Sequence, residues 1–324
     1  MRLFTEQDNL PDGFDCLASE PEFSPAKHLA LEFPSVIESL TDFGYQPEDI
    51  ANCPSDFAVS SVFRVLSDEG AACLLEVCKQ LEAFTTSNPR IERNTRGGIY
   101  RSRFLRDLCL SQDVTAALSD IANVALQPHS IGHQLGHLNY NPREIGKNVD
   151  KWHVDTLRYD YVMFVTDPNE VEGGQFQYYR GTKDEVKALK DAGQPLPTDK
   201  IISPAMPGPG YAILQQGNMV VHQAKGLTAP GDRITMVNGY VAADARMADH
   251  TRYDQLTLVD PEHVVTSEYA HHTAHMAKQL VTQAGFTSDK ALHIANLRAA
   301  ADRLLAAADE IASTEDARIE HFGD

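Results

Sequence analysis

Positive charge is what this chain has least of. Twenty-eight lysines and arginines stand against 46 aspartates and glutamates in 324 residues, a formal charge of −18. Phosphates are repelled at long range by such a balance, which argues against nucleic acid and anionic membrane as partners. Long apolar runs are missing too, since none approaches the roughly 20 residues needed to cross a bilayer. The opening MRLFTEQDNLPDGFD has no apolar signal-peptide core and carries acids early, so a cytoplasmic location is expected. The cysteines (Cys16, Cys53, Cys73, Cys78, Cys109) are few, odd in number and confined to the first third. Their spacing excludes a zinc motif and predicts reduced, partly buried thiols rather than a disulfide framework. Internal repeats and low-complexity linkers are absent. What remains, 42% hydrophobic and 23% charged, is the composition of an ordinary globular protein.

What is present centres on Lys151-Trp152-His153-Val154-Asp155-Thr156. Residues two apart on a strand face one side of a sheet, so His153 and Asp155 offer two adjacent ligands to one metal ion. Val220-Val221-His222 supplies a second imidazole on another apolar strand. Two imidazoles and one carboxylate form the facial triad that holds ferrous iron and leaves three positions open. Farther on comes Arg233, with Thr235 on the same strand face. A guanidinium fork beside a hydroxyl is suited to gripping a carboxylate. The plain alternative for Arg233 is a surface strand position.

From about Leu138 to Val241 the sequence resembles the iron(II)- and 2-oxoglutarate-dependent oxygenases. Gly173-Gly174-Gln175-Phe176, the approach from Pro207 to His222 and the spacing from His222 to Arg233 look like the prolyl-hydroxylase branch. Leu138-Asn139-Tyr140-Asn141-Pro142 looks like the Asn-Tyr-Tyr-Pro stretch of the plant soluble enzymes, with Asn141 in place of their second tyrosine. The resemblance implies that His153, Asp155 and His222 hold Fe(II), and that Arg233 and Thr235 hold the distal carboxylate of 2-oxoglutarate. Asn139 and Asn141 would touch the co-substrate. Dioxygen is the third reactant, and an unactivated C–H bond of a small metabolite is hydroxylated with succinate and carbon dioxide as co-products. An amino acid or another small acid is the preferred substrate class. Related halogenases lack the metal carboxylate, so Asp155 disfavours halogenation; desaturation and cyclisation stay open. The rival from another class is a non-catalytic jelly-roll sensor that binds metal and 2-oxoglutarate without turnover.

The expected fold is α+β, a double-stranded β-helix (jelly roll) core flanked by N-terminal and C-terminal helices. Residues 1–129 form a helical and loop region packing on the core, 130–245 the catalytic core and 246–324 a helical extension, integrated as one domain. The first 63 residues read as loops, with a short helix near Ser35–Leu40 and an edge strand at Ala58–Phe63. Ser67 with Asp68 and Glu69 opens a helix over 68–84, and a second follows Ser111. Arg96–Tyr100 reads as a flexible connection between them. Thr182-Lys183-Asp184-Glu185 has the form of a capping box. Asp260 and Pro261 open a helix to about 284, and another runs to about 312. These two pack on the barrel or make a subunit contact, the latter giving a homo-oligomer.

Six of the seventeen arginines (Arg90, Arg93, Arg96, Arg101, Arg103, Arg106) fall between 90 and 106. They are either a solvated face paired with acids or a loop carrying positive charge over the pocket. Arg101, Arg103, Arg158 and Tyr159 are the candidate substrate contacts. His129, His133 and His137 are spaced by fours, and a second metal site there is weighed against packed or solvated histidines. His271, His272 and His275 read as one face of the tail helix.

Overall fold

The computed structural model describes residues 11, 13–313 and 322, so the opening ten residues read above lie outside it. Two antiparallel sheets organise these residues. The larger runs in the order β1 (Ile37–Ser39), β2 (Phe57–Ser60), β11 (Tyr211–Gln215), β8 (Tyr159–Phe164), β13 (Ile234–Ala242), β6 (His137–Tyr140) and β4 (Asn94–Thr95). Two short strands join it from the side, β3 (Phe63–Arg64) on β11 and β5 (Leu126–Pro128) on β13. The smaller sheet is β10 (Ile201–Ile202), β9 (Phe176–Tyr179), β12 (His222–Ala224) and β7 (Asp150–His153).

Side-chain alternation divides the larger sheet into two cores. Val162 and Phe164 of β8, Ile213 of β11 and Val237 of β13 meet Phe176 and Tyr178 of the smaller sheet. Tyr159, Tyr161 and Met163 point the other way, into a cluster with Leu74, Leu81, Leu105 and Leu118 from the N-terminal helices. With both faces covered, a strand such as RYDYVMF is apolar almost throughout, and its period of two is hidden in the sequence.

Helix ends follow local chemistry where polar caps were available. After the short α1 (Pro25–His28) and α2 (Pro47–Ile50), α3 (Asp68–Leu81) begins where the Ser67 hydroxyl accepts from the Gly70 N–H. A 3-10 turn over Glu82–Phe84 completes the expected span. The helix α4 (Arg103–Cys109) was not expected; Ser102 caps it, as Ser111 caps α5 (Gln112–Ala122). Thr182 caps α6 (Lys183–Asp191), but Glu185 turns to Lys200 and the Tyr179 hydroxyl, so only half of a capping box forms.

Tertiary pairing overrode the other local signals. The segment expected as a helix near Ser35–Leu40 is strand β1, held by β2, followed by a 3-10 turn at Thr41–Phe43. The expected edge strand at 58–63 is two strands, and β2 lies inside the sheet between β1 and β11. Arg96–Tyr100 is not a loose connection, because Gly98 and Ile99 are buried in a 3-10 turn. Asp260 does not cap; it is buried and accepts from the Arg96 guanidinium at 2.6 Å. A short helix α7 (Tyr253–Thr257) precedes α8 (Glu262–Thr282) and α9 (Lys290–Ser313). These last two pack on each other, and Met276 and Leu280 of α8 lie on Val241 of β13. No helix among the described residues is long and apolar enough to cross a membrane.

Candidate metal and co-substrate site

His222 of β12 pairs directly with His153 of β7, so the smaller sheet alone brings the two imidazoles together. Asp155 follows β7, its N–H donating to the Gly217 carbonyl at 2.9 Å. His153 Nε2 lies 3.4 Å from Asp155 Oδ1, and His222 Nε2 lies 3.2 Å from Asp155 Oδ2.

Which ring atoms face the carboxylate is decided behind each ring. His153 Nδ1 lies 2.6 Å from the Lys151 carbonyl and His222 Nδ1 lies 2.9 Å from the Val220 carbonyl. A carbonyl only accepts, so each Nδ1 carries the hydrogen and each neutral ring presents its Nε2 lone pair to Asp155. Burial opposes a charge on Asp155; positive charge and N–H donation from the two rings, which need a proton on Nε2, more than offset it and hold the carboxyl well below its usual range, and a metal ion would stand where those protons do. Two imidazole lone pairs and a carboxylate aimed at one point fit Fe(II).

Two further residues belong to this site: Arg90, read from the sequence only as one of the arginine cluster, and Asp160, which was not singled out. Arg90 donates through Nε to Asp150 Oδ2 at 2.7 Å, while its Nη2 reaches His153 Nε2 and lies 3.3 Å from Asp155 Oδ1. A metal ion and this guanidinium compete for the same lone pairs, with Asp150 as the anchor Arg90 retains. Asp160 is wholly buried on β8, and its Oδ1 accepts from Gln215 at 3.0 Å. Burial, then the charge of Asp155, pushes its carboxyl well above the usual range. A single acid in an otherwise apolar strand was the available signal for Asp160. Arg90 had none beyond its membership of the arginine cluster.

Arg233 enters the same interior from β13 and is 1% exposed. Its Nε donates to the Gly174 carbonyl at 2.7 Å, Nη1 lies 3.3 Å from the Thr235 hydroxyl, and Nη2 is buried with no partner. No carboxylate pairs with it among the described residues, and burial alone lowers its pKa to about 10. The Gly173-Gly174 pair now has a physical reason. Both have positive φ, and a Cβ on Gly174 would stand 2.9 Å from Arg233 Cδ. Asn139 is buried with an unpartnered Oδ1, and its amide donates to His137 Nε2 at 3.2 Å. Burial, then Arg96 and Arg90, lowers the His137 pKa to about 3, so the ring is neutral and its Nδ1 hydrogen has no partner. Asn141 is spent on backbone, accepting from the Arg233 N–H and donating to the Pro142 carbonyl.

Other expected contacts lie elsewhere. Arg101 stacks on Phe14 and Phe84 and donates to the Gly13 and Asp15 carbonyls, while the Arg103 N–H donates to Glu20. Arg101 therefore fastens the N-terminal segment, and Arg103 is exposed at the start of α4. Tyr159 faces the helices, its hydroxyl 3.2 Å from Ser55. Arg158 is buried, against Gln216 and the Ala248–His250 loop.

The histidines expected as packed or solvated include a second group, His129, Asp249 and His272, whose donor atoms approach one another within 4.8 Å. Here the tautomer argues against a metal. His129 Nδ1 accepts from the Ile131 N–H at 3.1 Å, so Nε2 carries the hydrogen and points to the Thr251 hydroxyl. His272 is buried rather than solvated, held between Ser130 and Asp249. His133 pairs with Glu268.

No family model matches the chain, and no curated protein matches it. Among solved structures it is similar to SnoK, a non-heme α-ketoglutarate-dependent carbocyclase from nogalamycin biosynthesis (15% identity, 66% of this chain, 88% of that one, TM-score 0.45). HygX from Streptomyces hygroscopicus, with nickel and 2-oxoglutarate bound, shares 15% identity over 57% of this chain and 83% of that one, TM-score 0.40. EctD from S. alaskensis with bound Fe shares 14% over 72% and 88%, TM-score 0.42. Likeness at this level carries no functional argument, which rests instead on the atoms of the site.

Proposed function

We propose that the protein is an Fe(II)- and 2-oxoglutarate-dependent oxygenase with a double-stranded β-helix core, hydroxylating an unactivated C–H bond of a small metabolite. The observation that carries this reading is Arg233. A buried guanidinium is expensive unless an anion meets it, and this one keeps an unpartnered N–H inside the same barrel as three converging metal donors. A dicarboxylic acid held at one end by Arg233 and Thr235 reaches the metal donors with its other end. His153, Asp155 and His222 would hold the ion, and Gln215 and Asp160 line the protein side of it. When bound, iron with 2-oxoglutarate and dioxygen supplies the oxidising power for C–H cleavage, yielding succinate and carbon dioxide. Desaturation and cyclisation use the same residues and are distinguished only by the product.

Purified protein loaded anaerobically with Fe(II) and 2-oxoglutarate should form succinate when air is admitted. Metal should be stoichiometric in the wild type and in His133→Ala, and lost in His222→Ala. Metal and 2-oxoglutarate binding without succinate, across a broad metabolite panel, would favour a sensor; metal retained by His222→Ala would overturn the site.

A further inference from the structure

Two arginines fall in the buried class among the described residues, Arg158 at 5% exposure and Arg233 at 1%, and neither is in an ion pair. The other arginines drawn into the fold from the 90–106 cluster are matched by acids. Arg90 meets Asp150, Arg93 meets Glu82 and Arg96 meets Asp260. The chain has a large surplus of carboxylates, so an arginine left without one is not short of available partners.

Arg158 immediately precedes β8, two residues before Asp160, and Asp160 lies beside Asp155. A Cβ on Gly217 would touch the carboxylates of both. Two residues span at most about 7 Å, and Arg158 Nη1 approaches Gln216, which lies between Gln215, the partner of Asp160, and Gly217, which adjoins Asp155. Arg158 lies at the end of β8 away from Phe164, the residue over which the Arg233 guanidinium sits. Its donors are poorly used. Nε is buried with no partner, and Nη1 is 3.5 Å from the Gln216 side-chain oxygen. Nη2 donates to the Ala248 carbonyl at 3.2 Å and to His250 Nε2 at 2.5 Å. These two acceptors belong to the loop between β13 and α7, with His250 on its exposed side. Leu157, Val241 and Met276 supply apolar walls to the recess, which with Ala248 and His250 in place has a free volume of only about 10 Å³, so an anion on Arg158 takes the place of these two loop acceptors.

We infer that Arg158 is the substrate-recognition residue, and that the substrate carries an oxyanion, a carboxylate or a phosphate, seated on this guanidinium with an apolar portion against Leu157 and Val241. This rests on the oxygenase reading for what is then done to the substrate, but not for the anion site itself. The barrel thus holds two guanidinium ends, one for the co-substrate and one for the substrate, with the metal donors between them. Charge-assisted pairing by a fork of donors gives both affinity and orientation. Fixing the acid at Arg158 determines which C–H bond faces the metal.

The test uses full-length protein saturated with Fe(II) and 2-oxoglutarate, as wild type, Arg158→Gln and Arg158→Lys. In the binding arm, inorganic phosphate and propionate are titrated under anaerobic conditions. At least one should bind the wild type about ten-fold more tightly than Arg158→Gln, with 2-oxoglutarate affinity unchanged. Preference for phosphate or for propionate identifies the oxyanion. In the turnover arm, acids are compared with their own amides and phosphomonoesters with their alcohols. The charged member of a pair should drive succinate release, and Arg158→Gln should raise its KM more than it lowers kcat. Arg158→Lys, which keeps charge without the fork, should be intermediate and serves if the Gln variant does not fold. Equal binding of both probes to wild type and variants, or neutral members driving release as well as charged ones, overturns the inference. Absence of succinate with every compound, alongside Arg158-dependent anion binding, supports the anion site while rejecting the oxygenase.

Discussion

Arg233 and Gly217 carry the most specific consequences for single side chains. Replacing Arg233 by Gln removes a charged fork from a site that water does not reach. Hydrogen bonds to charged groups contribute about 1.5–3 kcal/mol, so the Kd for 2-oxoglutarate should rise roughly 10- to 100-fold. Metal content should not change, because Arg233 touches none of the three metal donors. Loss of metal together with co-substrate affinity would show that Arg233 instead supports the barrel. Gly217 is small for a different reason. A Cβ there would stand 2.3 Å from Asp160 Oδ2 and 2.8 Å from Asp155 Oδ2. Gly217→Ala must therefore displace a metal donor, and iron affinity should fall at least ten-fold while the folded far-UV spectrum is retained. Unchanged iron affinity in that variant would mean that Asp155 is not held as described.

At the scale of elements, local signals and tertiary ones contributed unequally. Ser67 shows the local kind, since its hydroxyl accepts from Gly70 N–H and also reaches the Lys27 carbonyl. Ser67→Ala should destabilise the protein by about 1 kcal/mol, the usual cost of a lost N-cap, with no change in metal binding. A denaturant midpoint equal to wild type would contradict that role. The same kind of signal made α3, α5 and the α6 cap legible from the sequence. The candidate site was legible for a related reason: His153 and Asp155, like Arg233 and Thr235, are two residues apart, although Asp155 lies beyond the end of β7 and is held beside His153 by its N–H bond to the Gly217 carbonyl. Arg90 lies 60 residues from Asp150, and nothing local tells that the two will meet. The segment at 37–39 had too little strand character to outweigh a helical reading until β2 was there to pair with it. Asp260 had the sequence of a cap, but a half-buried Arg96 claimed its carboxylate.

For the whole molecule, the buried histidines set how stability answers to pH. His129 is fully enclosed by β5, α8 and the loop before α7. Burial, followed by the neighbouring His272, lowers its pKa to about 3 from an ordinary value near 6.5. His137 is lowered to about 3 in the same way. The unfolded chain takes up protons on these rings as pH falls below about 6.5, whereas the folded chain does not until about 3. Protons bound preferentially by the unfolded state reduce stability, so stability should decline as pH drops from about 6.5 toward 3. His129→Gln isolates one share of this effect. A glutamine side chain can accept from the Ile131 N–H and donate to Thr251, as the neutral imidazole does, but it does not titrate. Thermal midpoints measured from pH 7 to 4 should therefore fall less steeply in His129→Gln than in the wild type, with the residual slope owed to His137 and the carboxylates. Parallel slopes would mean that His129 is already protonated in the fold. That outcome would contradict the Ile131 hydrogen bond, because an Nδ1 that accepts from an N–H carries no proton.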